Sequence, residues 1–202
     1  HLKYGMAFFI FLLITSCSKK EDRVVPKTDK DNGGLFLPDG FGAVVVIDSI
    51  GPTRHLAVND NGDIYVKLRI PNGDKGNIAL RDTDGDGKAD IIQRFGKYRN
   101  DGTFATEMRI HNGYLYFSSE LVIYRQKLTP FKLIPEGKPE IILVDRGPIR
   151  WHNAKSLAFD KKGNMYVTFS GMTNVCENWN TVPENQTQGV KGYFPCPELR
   201  GL

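Results

Sequence analysis

Cysteine is scarce in this chain, with three in 202 residues, and so is tryptophan, with two. No C-x-x-C or C-x-x-C-H spacing occurs, which leaves a zinc ribbon or an attached haem c without support. Apolar runs stay well short of the roughly 20 residues that a membrane-spanning helix needs. The patterns G-x-G-x-x-G, G-x-x-x-x-G-K-[ST], G-x-S-x-G and H-E-x-x-H are absent. Nicotinamide, nucleoside-triphosphate, serine-hydrolase and zincin chemistry therefore have no local motif to rest on. A strong charge of either sign is also lacking: the net charge is +4, and half of it lies in the first 32 residues. What remains makes no nucleic-acid footprint. The abundant residues are 21 Gly, 11 Pro, 12 Phe and 8 Tyr, a composition that favours strands joined by tight turns.

The first segment reads as a leader. Ala7 to Ile14 is an apolar run of eight preceded by Lys3, the layout of a secretory signal. It ends Ile14-Thr15-Ser16-Cys17, which resembles a bacterial lipobox and makes Cys17 the candidate lipidated N-terminus; a plain signal cleaved nearby is the alternative. Acyl chains on Cys17 would attach the protein to a membrane through lipid alone. Residues 1–17 are thus expected as signal and lipobox, and 18–34, densely charged and without apolar period, as a flexible tether. The domain is expected from 35 to 202. Cys176 and Cys196 lie twenty positions apart in a loop rich in Asn, Pro and Gly. An exported protein would join them as a disulfide, against the alternative of two free thiols.

A repeat organises the rest. RHLAVNDNGDIYVKL (54–68), ATEMRIHNGYLYFSS (105–119) and KSLAFDKKGNMYVTF (155–169) share a strand-turn-strand pattern, and their turn glycines Gly62, Gly113 and Gly163 are spaced 51 and 50 residues apart. Each segment predicts an antiparallel hairpin. Further strands are expected at Ala43–Ile47, Val122–Leu128 and Glu140–Val144. Four strands per fifty residues is the signature of a β-propeller blade, so the expected fold class is all-β with three to four blades of an expected six. A β-sandwich is the competing architecture, but its strands would not recur at a fixed period. On this count 35–202 is expected to be the N-terminal part of a longer propeller.

Two groups of residues carry candidate chemistry. Asp82, Asp84, Asp86 and Asp90 occupy positions 1, 3, 5 and 9 of a loop with Gly87 at position 6. Alternating carboxylates about a glycine turn can wrap a hard cation such as Ca2+; a solvated acidic turn is the alternative. Superimposing the repeats places Arg54 and Lys155 at the starts of equivalent strands, with His152 just upstream. If these strands are innermost, both cations face one mouth of the channel and suit an anionic cofactor, and His152 can take a proton there. The plainer reading makes them rim charges and a strand-end cap. His55 and His111 are assigned structural roles.

Leu37-Pro-Asp-Gly-Phe41, Arg54-His-Leu-Ala-Val58, Gly62-Asp-Ile-Tyr-Val66, Leu80 to Asp90, Gly113 to Ser119 and His152-x-x-Lys155-x-Leu-Ala-Phe-Asp160 together resemble the glucose/sorbosone dehydrogenase family over roughly residues 35–176. That resemblance implies a six-bladed, pyrroloquinoline quinone (PQQ) dependent sugar dehydrogenase. A His base, matched by His152, takes the hydroxyl proton, hydride passes to the quinone, and a cytochrome or quinone accepts the electrons. Arg54 and Lys155 are the implied cofactor contacts, with most PQQ and calcium ligands in later blades. Lys155 replaces an Arg and Trp151 an Asp of the characterised glucose enzymes, and Glu107 stands where relatives carry small residues, so it is expected to alter the mouth. The implied location is the periplasm, outer membrane or cell surface of a Gram-negative bacterium. The rival functions are a lipid-anchored propeller that binds glycan or protein without catalysis, and a calcium-dependent structural module.

Overall fold

The computed structural model describes residues 25–73, 75–98, 107–146 and 154–169. Strands β1 (Thr53–Val58), β2 (Ile64–Asn72), β3 (Lys75–Arg81) and β4 (Ile91–Lys97) form one antiparallel sheet in chain order. β5 (Met108–His111), β6 (Tyr114–Ser118), β7 (Val122–Lys127) and β8 (Glu136–Val144) form a second. β9 (Leu157–Phe159) and β10 (Met165–Val167) pair as the third. Among the described residues no helix is long and apolar enough to cross a membrane.

Local chemistry sets the hairpins. Asn112 and Gly113, at φ 47° and 74°, link the paired residues His111 and Tyr114. A two-residue hairpin turn with both central residues left-handed is the one that matches strand twist, and Asn-Gly tolerates it best. Gly62 and Gly163 also sit at positive φ in the corresponding turns.

The sheets stack face to face, so their middle strands are buried on both sides and read as continuous apolar runs. In β6, Leu115 and Phe117 face the first sheet, where they pack with Tyr65, Ala79 and Phe95. Tyr116, one residue out of phase, turns the other way to Leu157, Phe159 and Met165 of the third sheet. Each large side chain buried in this way stabilises by roughly 2 kcal/mol. β1 lies against β5 and β5 against β9, so the first strands of successive sheets run side by side. Meandering sheets stacked in this way about their first strands are blades of a β-propeller.

One expected strand is corrected. Ala43–Ile47 joins no sheet. Its backbone is satisfied sideways instead: Val45 N–H donates to Asp29 Oδ2 at 2.8 Å, Ala43 N–H to Asn32 Oδ1 at 3.2 Å, and the Val46 carbonyl accepts from Ala89 N–H at 2.9 Å. Val46, Ile47 and Ile50 then cover the outer face of the first blade, over Val66, Leu68, Ile78 and Leu80. The described part of the charged 18–34 stretch is fastened to the same blade, since Asp29 pairs with Lys88 at 3.2 Å.

Asp63 ties the turn of the first hairpin to β3. It is 2% exposed and accepts from Arg81 Nε at 2.6 Å, Arg81 Nη2 at 2.7 Å and Asn61 Nδ2 at 2.9 Å. Burial alone would raise its pKa, but the bonds from Arg81 and Asn61 outweigh burial and hold the carboxyl below its ordinary value. A carboxyl depressed in the folded state adds stability above the unfolded pKa of about 4, and that stability is lost as pH falls through the folded value. Asp63→Asn is expected to cost about 2 kcal/mol at pH 7 and to flatten the loss of stability below about pH 4; chemical denaturation across pH checks both.

Candidate active-site rim

The first strands of the three blades begin at one rim, and a buried carboxylate joins them there. Glu107, immediately before β5, is 1% exposed. Its Oε1 accepts from Met108 N–H at 3.0 Å and its Oε2 from Leu157 N–H, in the third blade, at 3.1 Å. Two side chains close on the same Oε1: His55 Nε2 of the first blade at 3.4 Å and Arg109 Nε at 3.3 Å. Glu107 N–H donates to Ser118 Oγ at 3.2 Å. The carboxylate thus has a partner in every described blade, and the side chains of His55 and Arg109, 36% and 52% exposed, carry the cluster to the surface. Glu107 is the residue read from sequence as altering the mouth. The structure adds that it organises the rim, because its partners lie about fifty residues away on either side.

Arg54 stands exposed at the start of β1, beside His55, and lines a cleft of about 490 Å³ with Val46, Ile50 and Leu56. Lys155 lies just before β9 and is 1% exposed. Its Nζ donates to the Glu120 carbonyl at 2.6 Å and sits 3.0 Å from Asp145 Oδ2, itself 5% exposed. The ammonium is thereby engaged between the second and third blades. His152, the candidate base, lies outside the described residues, as do Cys17, Cys176 and Cys196.

The acidic loop joins β3 to β4. Asp82, Asp84 and Asp86 bring carboxylate oxygens within 4.8 Å of one another. Asp82 accepts from Gly85 N–H at 2.7 Å and Gly87 N–H at 2.8 Å, and these bonds lower its pKa. Asp90 instead accepts from Thr83 Oγ1 at 2.6 Å and Thr83 N–H at 2.7 Å. The structure therefore groups three of the four aspartates and turns the fourth onto the loop itself. Because β3 ends opposite the start of β2, this loop lies at the turn rim, away from Arg54 and Glu107.

No protein-family model matches this chain, and no curated protein does. Two solved structures share its fold. The PQQ domain of pyranose dehydrogenase from Coprinopsis cinerea superimposes with TM-score 0.52 at 12% identity, over 64% of this chain and 30% of that one. A Trichoderma reesei protein of carbohydrate-active enzyme family AA12 superimposes with TM-score 0.51 at 13% identity, over 65% of this chain and 33% of that one. The chain thus spans about a third of the length of the structures it matches.

Lys155 and Asp145 are buried together, and removing one partner of such a pair strands the other. Lys155→Met is expected to destabilise the full chain by about 3–5 kcal/mol, with Asp145→Asn in the same chain recovering part of the loss. Calorimetric melting reads both; a melting temperature unchanged by Lys155→Met would show that the ammonium is not committed to Asp145.

Proposed function

We propose that this chain is the blade-forming part of a PQQ-dependent dehydrogenase that oxidises an aldose or related sugar. The observation that carries the reading is the rim where first strands begin, on a fold shared with a PQQ domain: exposed Arg54 opens β1 next to His55, and His55 and Arg109 close on Glu107. An accessible guanidinium, with a second one and an imidazole held next to it on Glu107, suits an anionic quinone. Arg54 is the accessible cation for it, and Lys155, buried before β9, ties the start of the third blade to Asp145 of the second.

Bound there, PQQ would supply the electron sink, taking hydride from a sugar carbon and passing electrons on to a cytochrome or quinone. The chain's part is to bind, orient and move a proton. In this reading His152 accepts the sugar hydroxyl proton as the carbon–hydrogen bond breaks, so the proton goes to the imidazole. Ca2+ would occupy the Asp82, Asp84 and Asp86 loop as a structural ion, its hard charge matched by carboxylate oxygens. A lipid on Cys17 would hold the protein in the periplasm, outer membrane or at the cell surface of a Gram-negative bacterium, and a Cys176–Cys196 disulfide would suit that compartment.

A second reading, a lipid-anchored propeller that binds glycan or protein without catalysis, also has an observation behind it. The rim charges are partly spent inside the protein, Lys155 on Asp145 and Arg109 on Glu107. The two readings part in one experiment. The full chain, incubated with PQQ and Ca2+ and freed of excess, should retain the quinone chromophore and reduce an artificial dye on adding an aldose. His152→Ala should retain the chromophore and lose at least about 100-fold in turnover. Failure to retain PQQ, or retention without sugar-dependent reduction across a panel of aldoses, would refute the dehydrogenase reading.

A further inference from the structure

A second cleft, at the opposite rim, has the chemistry of a saccharide site. It measures about 650 Å³ and opens between the β1–β2 turn, the β5–β6 turn and the β7–β8 loop. That is within the usual size of a small-ligand pocket. Its polar wall includes Asn59, Asp60, His111, Asn112 and Lys132, and Phe131 stands at its lip with 94% of its surface exposed.

Phe131 is in the wrong residue's place for folding. Lys132 N–H donates to the Thr129 carbonyl at 3.1 Å, closing a turn with Pro130 second and Phe131 third. Phe131 has φ 68°. A turn with Pro second and a left-handed third residue favours Gly or Asn there, and an aromatic side chain at positive φ is strained. The ring recovers nothing by packing, since it is almost wholly in solvent. Strain held at an exposed aromatic beside a cleft is a feature folding would discard, which points to use of the ring itself.

The surrounding groups define the ligand. Among the described residues, Asn59, Asp60 and Asn112 have no side-chain hydrogen bond, so donors and acceptors remain free in the cleft, whereas Asn61 is spent on Asp63. The cation that lines the cleft, Lys132, is paired with Glu136, and Asp60 adds an acceptor, so the cleft disfavours an anion. Amide groups and a carboxylate that each pair with hydroxyls, beside an apolar ring face, suit a neutral sugar, which offers hydroxyls at its edge and C–H groups on its face. We infer that the cleft between Asn59, Asp60, Asn112 and Phe131 binds a neutral saccharide by stacking it on Phe131. The site lies away from the Arg54 rim and stands whether or not that rim oxidises sugars.

Calorimetric titration of the full chain with maltohexaose, cellohexaose and xylohexaose tests it. At least one should bind with a Kd below about 1 mM. Phe131→Ala should weaken that binding at least tenfold, and Phe131→Tyr should retain it. Phe131→Gly should weaken binding equally while raising the melting temperature by about 2–4 °C, because glycine relieves the left-handed strain. Absence of binding by all three sugars, or a Kd within twofold of wild type in Phe131→Ala, would overturn the site. A melting temperature lowered by Phe131→Gly would equally overturn it, by showing that the ring supports the fold.

Discussion

A carboxylate cannot be buried without partners, and the described architecture turns on how Glu107 finds them. Desolvating an unpaired charge is prohibitive, so its 1% exposure obliges donors to be brought to it. Those donors come from three blades: His55 on β1, Met108 and Arg109 on β5, and Leu157 on β9. Apolar packing between sheets tolerates small slides, whereas hydrogen bonds near 3 Å do not. The face-to-face cores supply most of the stabilisation, and Glu107 sets the register in which first strands meet.

The same device recurs along the blades. Lys155 and Asp145 pair at the second junction, and Asp63 and Arg81 tie the turn of the first hairpin to the end of β3. Tyr65 donates to the Leu133 carbonyl at 3.1 Å across the first junction, and burial, with help from Asp63, pushes its phenol up to about 12. Polar groups therefore specify geometry at the positions where apolar surfaces alone would not. The consequence for function is a division of labour between rims. Strand starts bring Arg109 and His55 onto Glu107, whereas the turn rim carries the acidic loop and the cleft beside Phe131.

The blade architecture was legible because it repeats. Turn glycines at fifty-residue spacing and the apolar runs of β2 and β6 follow from local rules that each blade obeys separately. Ala43–Ile47 misled because its apolar character is genuine but its backbone partners, Asp29, Asn32 and Ala89, are not strands. The role of Glu107 was only half visible. Its place where relatives carry small residues marked it as unusual, yet no local pattern joins residues 55, 107 and 157. Lys155 read as a mouth cation for the same reason, since Asp145 lies ten positions before it and across a junction. Phe131 left one faint signal, the Pro130 at the second position of its turn, and its positive φ appears only in the folded backbone.

Amide hydrogen exchange at Leu157, compared between the wild-type chain and Glu107→Ala, addresses the central claim most directly. If Glu107 ties the third blade to the other two, the Leu157 amide is protected in the wild type. It should then exchange at least tenfold faster in the variant, while the Ile78 amide, deep in the first blade, keeps its protection. Equal exchange of Leu157 in the two proteins would contradict the account, and the three blades would then be held in register by apolar packing alone.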